Sequence, residues 1–291
     1  MCGITGTIFS QRVDYSTRVE PAALLSTLTK FERSLELTDF NRFFALVIKY
    51  KSDCNFLHYF DSEAERENIG KIHEKLNRLG KELEKGSKSV LGLSTRENKW
   101  DALSRILDAG WFLGEELTQR LSFVRQFYKY DDLAQSHSIL FFKTFSTIIN
   151  SINLLEIRGR DSLGLLLQFS LKRTKDNLIW FERARKEGNY HAKLLDETIV
   201  ISCVYKYFNR IGTIGENSRK VLEKIKIDRL AIDLIKAGCY QRIVIVAHTR
   251  WASVGEVSAE NTHPLINLAK ASTKVPSIFS LMNGEIYNYK N

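Results

Sequence analysis

Residues 3–9, Gly-Ile-Thr-Gly-Thr-Ile-Phe, are a short β-branched run bounded by polar residues, and they read as a strand. Residues 11–143 then change character, and that change of period is what most constrains the fold. Glu20-Pro21 can open a helix with proline in its first turn, and Leu24, Leu25 and Leu28 follow at helical spacing. Residues 62–85 are richly charged, with Ile69, Ile72, Leu76, Leu79 and Leu83 three and four apart. Such an amphipathic stripe is long enough for one arm of a helical hairpin. From about 102 to 128, Leu103, Ile106, Leu107, Trp111, Leu117, Leu121 and Val124 make a broad apolar face. These stripes are core or partner-helix seams rather than cofactor boxes, so 11–143 reads as a helical insertion with its own small core.

Strand-like segments return further on. Phe145 to Ile157 reads as a helix through Ile148, Ile149, Ile152 and Leu155, with Gly159 supplying the stop. Leu163–Leu171 and Leu178–Arg183 read as paired strands, and Ile199–Tyr207 as another β-branched run. Residues 218–237 read as helical. Ile243–Ala247 reads as a buried strand that delivers His248-Thr249-Arg250-Trp251, and 276–282 as a last strand that delivers Asn283-Gly284. Strand ends are where a rigid scaffold presents functional groups.

The chemistry-bearing residue is Cys2, which becomes the N-terminus once Met1 is removed. A terminal cysteine joins a nucleophilic thiolate to an α-amine whose pKa of about 7.7–8.0 lets it exchange a proton near neutrality. Alone it reads rather as a buried strand thiol. Its meaning comes from four blocks: Arg158-Gly159-Arg160-Asp161-Ser162; His248-Thr249-Arg250-Trp251-Ala252-Ser253; Asn261-Thr262-His263-Pro264; and Asn283-Gly284-Glu285-Ile286-Tyr287-Asn288.

With Cys2, these blocks resemble the class II (N-terminal nucleophile) glutamine amidotransferase domain, nearest to the glutaminase domain of glutamine:fructose-6-phosphate aminotransferases. The resemblance covers residues 1–10 and 144–291, and 11–143 match nothing in that family. It implies an α+β fold, the N-terminal-nucleophile hydrolase αββα sandwich, incomplete at its C-terminus and carrying the helical insertion. By the same resemblance Cys2 attacks the glutamine amide, with Asn283 and Gly284 as the oxyanion hole. Arg250 grips the α-carboxylate, for which a guanidinium fork is suited. Trp251 and Ser253 line the pocket, while Asp161, Ser162, His248 and His263 support it. In isolation Asn-Gly reads as a hairpin turn and a lone Arg as a surface ion pair. The family usually has His before Asn-Gly, where this chain has Met282, and Thr-His where it has Ser253-Val254. The closing block is nearer to asparagine synthetases.

No cofactor and no metal are expected, because Cys2, Cys54, Cys203 and Cys239 stand at no ligand spacing. Reduced thiols and a cytoplasmic location are the simplest reading. The net charge of +9 is dispersed without a run of like charge, so nucleic acid is not an expected partner. No leader and no membrane span are expected. The expected partners are glutamine and a sugar-phosphate acceptor held by a further C-terminal domain, with homo-oligomerisation of the full-length protein left open. An asparagine-synthetase-like or phosphoribosyl amidotransferase module, and an inactive interaction module, are the alternatives.

Overall fold

The computed structural model describes residues 3–10, 15–86, 96–128, 134–209, 213–251, 256–267 and 278–283. These divide into two compact units, one of residues 3–10 with 134–283 and one of residues 15–128. The chain opens with β1 (Gly3–Phe9).

The helical unit follows. It comprises α1 (Pro21–Ser34), α2 (Leu37–Tyr50), α3 (Asp53–Asp61), α4 (Glu63–Glu84) and α5 (Arg96–Trp111), then a π-helical turn (Phe112–Glu116) and α6 (Leu117–Arg125). Pro21 occupies the first turn of α1, where its missing N–H costs nothing. Ser62 caps α4 by accepting from the Glu65 N–H at 3.1 Å. The charged stripe of α4 turns Ile69, Ile72, Leu76 and Leu79 into a core with Leu24, Leu28, Phe31, Phe40 and Phe43. One buried carboxylate, Glu65, takes the Tyr50 hydroxyl at 2.6 Å and the Arg18 guanidinium at 2.7 Å. Burying that charge is tolerable because both of its oxygens are partnered.

The other unit is mixed α/β. After α7 (Ser136–Glu156) come β2 (Ser162–Lys172), α8 (Leu178–Lys186), β3 (Tyr190–Leu194) and β4 (Thr198–Phe208). Then follow α9 (Glu216–Ile227), α10 (Arg229–Ala237), β5 (Tyr240–Arg250), β6 (Leu265–Asn267) and β7 (Ile278–Ser280). Among the described residues β1, β5, β2, β4 and β3 form one sheet in that order, every neighbouring pair antiparallel. Helices cover one face. Leu163, Leu165, Leu167, Phe169, Ile243, Ile245 and Ala247 point there and are fully buried. The Phe9 and Phe141 rings meet edge-on at 5.6 Å, joining β1 to α7. By length and composition α7 is apolar enough to span a bilayer, yet most of it is buried inside this unit. The other face of the sheet meets the 256–264 segment and the short β6/β7 ribbon, the latter through Phe279, whose ring lies 6.1 Å from that of His191.

Two readings are corrected and one is refined. Leu178–Arg183 is part of α8 rather than a strand, since Phe181 and Ala184 are buried three apart while Ile179 faces solvent. The stretch 218–237 is two helices, because Asp228 stops α9 and caps α10 through the Ala231 N–H at 3.1 Å. Helix α7 starts at Ser136, not 145, and Gly159 does not adopt positive φ as a left-handed stop. The helix already ends at Glu156, whose carboxylate is engaged elsewhere. The expected strand over 276–282 is described only as Ile278–Ser280, and residues 276 and 277 lie outside the described residues.

Asp228 also accepts the Tyr190 hydroxyl at 2.5 Å and the Tyr205 hydroxyl at 2.8 Å. Burial raises the pKa of both phenols and pushes the Cys203 thiol up to about 12. Replacing Asp228 with Ala removes a cap and orphans two buried hydroxyls, at roughly 3–5 kcal/mol. Urea unfolding should show that loss, and adding Tyr190→Phe and Tyr205→Phe should recover part of it.

Candidate functional site

One end of the sheet gathers the start of β1, the end of β5 and the start of β2. Gly3, which follows Cys2 in the chain, pairs with Thr249, and Ser162 pairs with Arg250. The Asp161 N–H donates to the Arg250 carbonyl at 3.0 Å, and the Asn209 N–H donates to the Asp161 carbonyl at 2.9 Å. The expected support residues Asp161 and Ser162 are thus joined to Arg250 through backbone, an arrangement that antiparallel pairing alone enforces.

His248 lies one residue inside this end, opposite Ile4 on β1 and Gly164 on β2. Its Nε2 is 3.0 Å from the Met282 carbonyl. A carbonyl only accepts, so Nε2 carries the proton and Nδ1 is a bare acceptor. Among the described residues, the buried Nδ1 of His248, Nδ1 of His263, Oγ of Ser162 and Oγ1 of Thr249 have no hydrogen-bond partner. The two imidazoles lie 4.4 Å apart between centroids. Asn283 follows Met282 directly and is exposed, so the chain on which it stands is tied to β5 next to the strand end. Trp251 is also exposed. Cys2, Ser253 and Gly284 lie outside the described residues.

Gly164 makes the close approach possible. A Cβ there would collide with the His263 carbonyl, so only glycine lets the 262–264 backbone settle on β2. The His263–Pro264 peptide is cis. The same segment is held by Lys206, whose Nζ donates to the Ala259 carbonyl at 3.0 Å, and by Arg250, whose Nη1 donates to the Glu256 carbonyl at 3.2 Å.

Charges of both signs surround the site, with Glu260 beside Lys206. Burial, then the neighbouring His263 and Arg250, bring His248 down to about 4 despite its bond to Met282. Burial also lowers His263, helped by Arg250 and Lys206, and lowers the Lys206 ammonium. At neutral pH the imidazoles are therefore uncharged, and Arg250 and Lys206 supply the cationic character. Among the described residues no three of His, Cys, Asp and Glu gather as metal ligands.

Sequence reasoning missed a brace behind the loop. Asn217, fully buried, donates to the Arg160 carbonyl at 2.7 Å. Glu156 accepts the Gly215 N–H and, at 2.8 Å, the Ser218 N–H, closing the N-terminus of α9 against the end of α7. Burial raises the Glu156 carboxyl pKa, while these two backbone donors act in the opposite direction. A readable signal existed: a carboxylate in the last turn of a helix opposes the dipole of that helix, so its stabilising partner must lie elsewhere.

No family model matches this chain, and no solved structure matches it. A glutamine–fructose-6-phosphate aminotransferase (isomerizing) of Encephalitozoon cuniculi is 37% identical over 84 residues. That match takes in 29% of this chain and 11% of that protein, so the chain spans a small part of the relative's length. The chain is partly similar to an amidotransferase.

The depressed His248 has a signed consequence. Above pH 6.5 it is neutral folded and unfolded; between 6.5 and about 4 only the unfolded chain gains its proton, so stability is lost as pH falls through that window. The melting temperature should drop over pH 6.5 to 5, and His248→Gln should remove its share of the drop. An unchanged slope in the variant would assign the loss to other groups.

Proposed function

We propose that this chain is a glutaminase module of a glutamine amidotransferase, with Cys2 as nucleophile after removal of Met1. The observation that carries the reading is the convergence on β5: the residue after Cys2 pairs with Thr249, the carbonyl before Asn283 binds His248, and Arg250 ends the same strand. Partial similarity to an aminotransferase that bears glutamine in its name supports the same reading.

The chemistry runs as follows. The Cys2 thiolate attacks the side-chain carbonyl carbon of glutamine, and the C=O electrons move onto oxygen. Asn283 and Gly284 donate hydrogen bonds to that oxyanion, each such donor being worth about 10²–10³ in rate. The intermediate collapses, the C–N bond breaks, and the α-amine of Cys2 protonates the leaving nitrogen to release ammonia. Water, deprotonated by the same amine, then cleaves the γ-glutamyl thioester to glutamate and returns the thiol. Arg250 meets the substrate α-carboxylate, beside Trp251 and Ser253. Asp161, Ser162, His248 and His263 hold the surrounding backbone.

The fold proposed with this activity is the layered sandwich of N-terminal-nucleophile hydrolases, the β6/β7 ribbon forming part of its second sheet. The ammonia acceptor proposed is a sugar phosphate such as fructose 6-phosphate, bound by a further domain of a longer, cytoplasmic protein.

Cys2→Ala should abolish glutamate release from glutamine, and mass spectrometry should find Cys2 as the first residue of the active species. Arg250→Lys should raise the KM for glutamine by about ten- to a hundred-fold, the loss of roughly 1.5–3 kcal/mol typical of a charged hydrogen-bond partner, with a smaller change in kcat. Glutamate release undiminished by Cys2→Ala would end the reading.

A further inference from the structure

In the helical unit, α5 carries an apolar seam that faces solvent. Trp100 is 58% exposed, Leu107 50% and Trp111 55%, although large apolar side chains are ordinarily the first to be buried. The spacing 100, 104, 107, 111 alternates four and three, which is the a/d register of a helix that pairs with another helix. Ser104, also exposed, fills the remaining seam position. Two of the chain's four tryptophans stand here, and tryptophan is the side chain that most often dominates binding energy at a helix or protein surface.

Acids flank the seam on one side: Asp101 follows Trp100, Asp108 follows Leu107, and Glu115 stands one heptad further, in the turn beyond the seam; all three are exposed and in no ion pair among the described residues. In paired helices those flanking positions select the partner by charge. The opposite flank leans on α4. Leu107 would touch a Cβ placed at Gly80, and a Cβ at Gly110 would touch Asn77, so small residues let α4 rise beside the seam as a wall. His73 Nδ1 lies 2.8 Å from the Gly110 carbonyl and fixes that wall. Immediately after Trp111 the backbone tightens no further but widens into the π turn Phe112–Glu116, which ends the regular seam. Local π-helical turns recur at functional surfaces.

We propose that this seam docks a partner helix of about three turns, apolar on one stripe and lined with Lys or Arg along the edge that meets Asp101, Asp108 and Glu115. Three turns follow from the rise of about 16 Å between Trp100 and Trp111. A second copy of α5 is disfavoured: antiparallel self-pairing would set the acidic flank against itself, and parallel pairing would face it with Leu103 and Gly110.

The test uses the full chain and two labelled helical peptides of three heptads, the length needed to hold a helix in water, whose central three turns carry Leu at the seam positions. One has Lys at the flanking positions and the other Glu, and binding is read by fluorescence anisotropy at low salt. The Lys peptide should bind at least ten-fold more tightly. Trp100→Ala with Trp111→Ala should weaken it about ten-fold or more, the 1.4 kcal/mol scale of a modest hot spot. Asp101→Lys, Asp108→Lys and Glu115→Lys together, all at exposed sites that leave the fold intact by circular dichroism, should invert the preference. Equal or absent binding of both peptides would overturn the proposal. So would concentration-dependent dimers in sedimentation velocity that disappear with the two Trp→Ala changes, since the seam would then belong to a second copy.

Discussion

The pairing of β1 with β5 is the constraint on which the mixed unit rests. Seven residues from the first strand lie in register with Ile243–Thr249, across more of the chain than any other strand pair spans. Side chains alternate with a period of two, so a slip of one residue would turn Phe9 away from Phe141 and bring Ile8 inward. The same register sets Gly3 against Thr249 and Ile4 against His248, so the hydrophobic face and the candidate site are settled by a single alignment. Packing and chemistry cannot be adjusted separately here.

Around that alignment the polar groups divide by purpose. Asp228, half-buried, and Glu156, fully buried, are carboxylates whose oxygens are engaged by hydroxyls or helix N-termini, and they hold elements in place. Ser162, Thr249 and His248 are buried at the strand end, and they and the adjacent, half-buried His263 hold buried polar atoms unmatched among the described residues. Unmatched buried groups are costly and few in folded proteins. Their concentration at one end, beside Arg250 and Lys206, is what distinguishes that end from the rest of the sheet.

Much of this was legible in the chain. Residues 3–9 and 243–247 declared themselves as strands because β-branched side chains dominate both, and Pro21 marked its helix because its ring fits only the first turn. The stripe of α4 was equally plain. What misled was local composition without its partners. Leu178-Ile179-Trp180-Phe181 is apolar enough for a strand, and only the burial of Ala184 beneath it reveals the helix. Asp228 looked like an ordinary helix residue until two tyrosines from other strands drew it out of the helical ladder. Asn217 and Glu156 were invisible for a similar reason, since each acts on backbone atoms far away in the chain. Arg250 and the Asp161-Ser162 pair stand in two separate sequence blocks, and their link through the Arg250 carbonyl belongs to the sheet and not to any residue type.

The strand order also bears on how the polypeptide is made. β1 leaves the ribosome well before β5, its hydrogen-bonding partner, which is completed only some 240 residues later. At a translation speed of about 5–20 residues per second, the leading segment stays unpaired for roughly ten to fifty seconds. During that interval its backbone donors and acceptors stay open to solvent, and once β5 zips alongside they are paired.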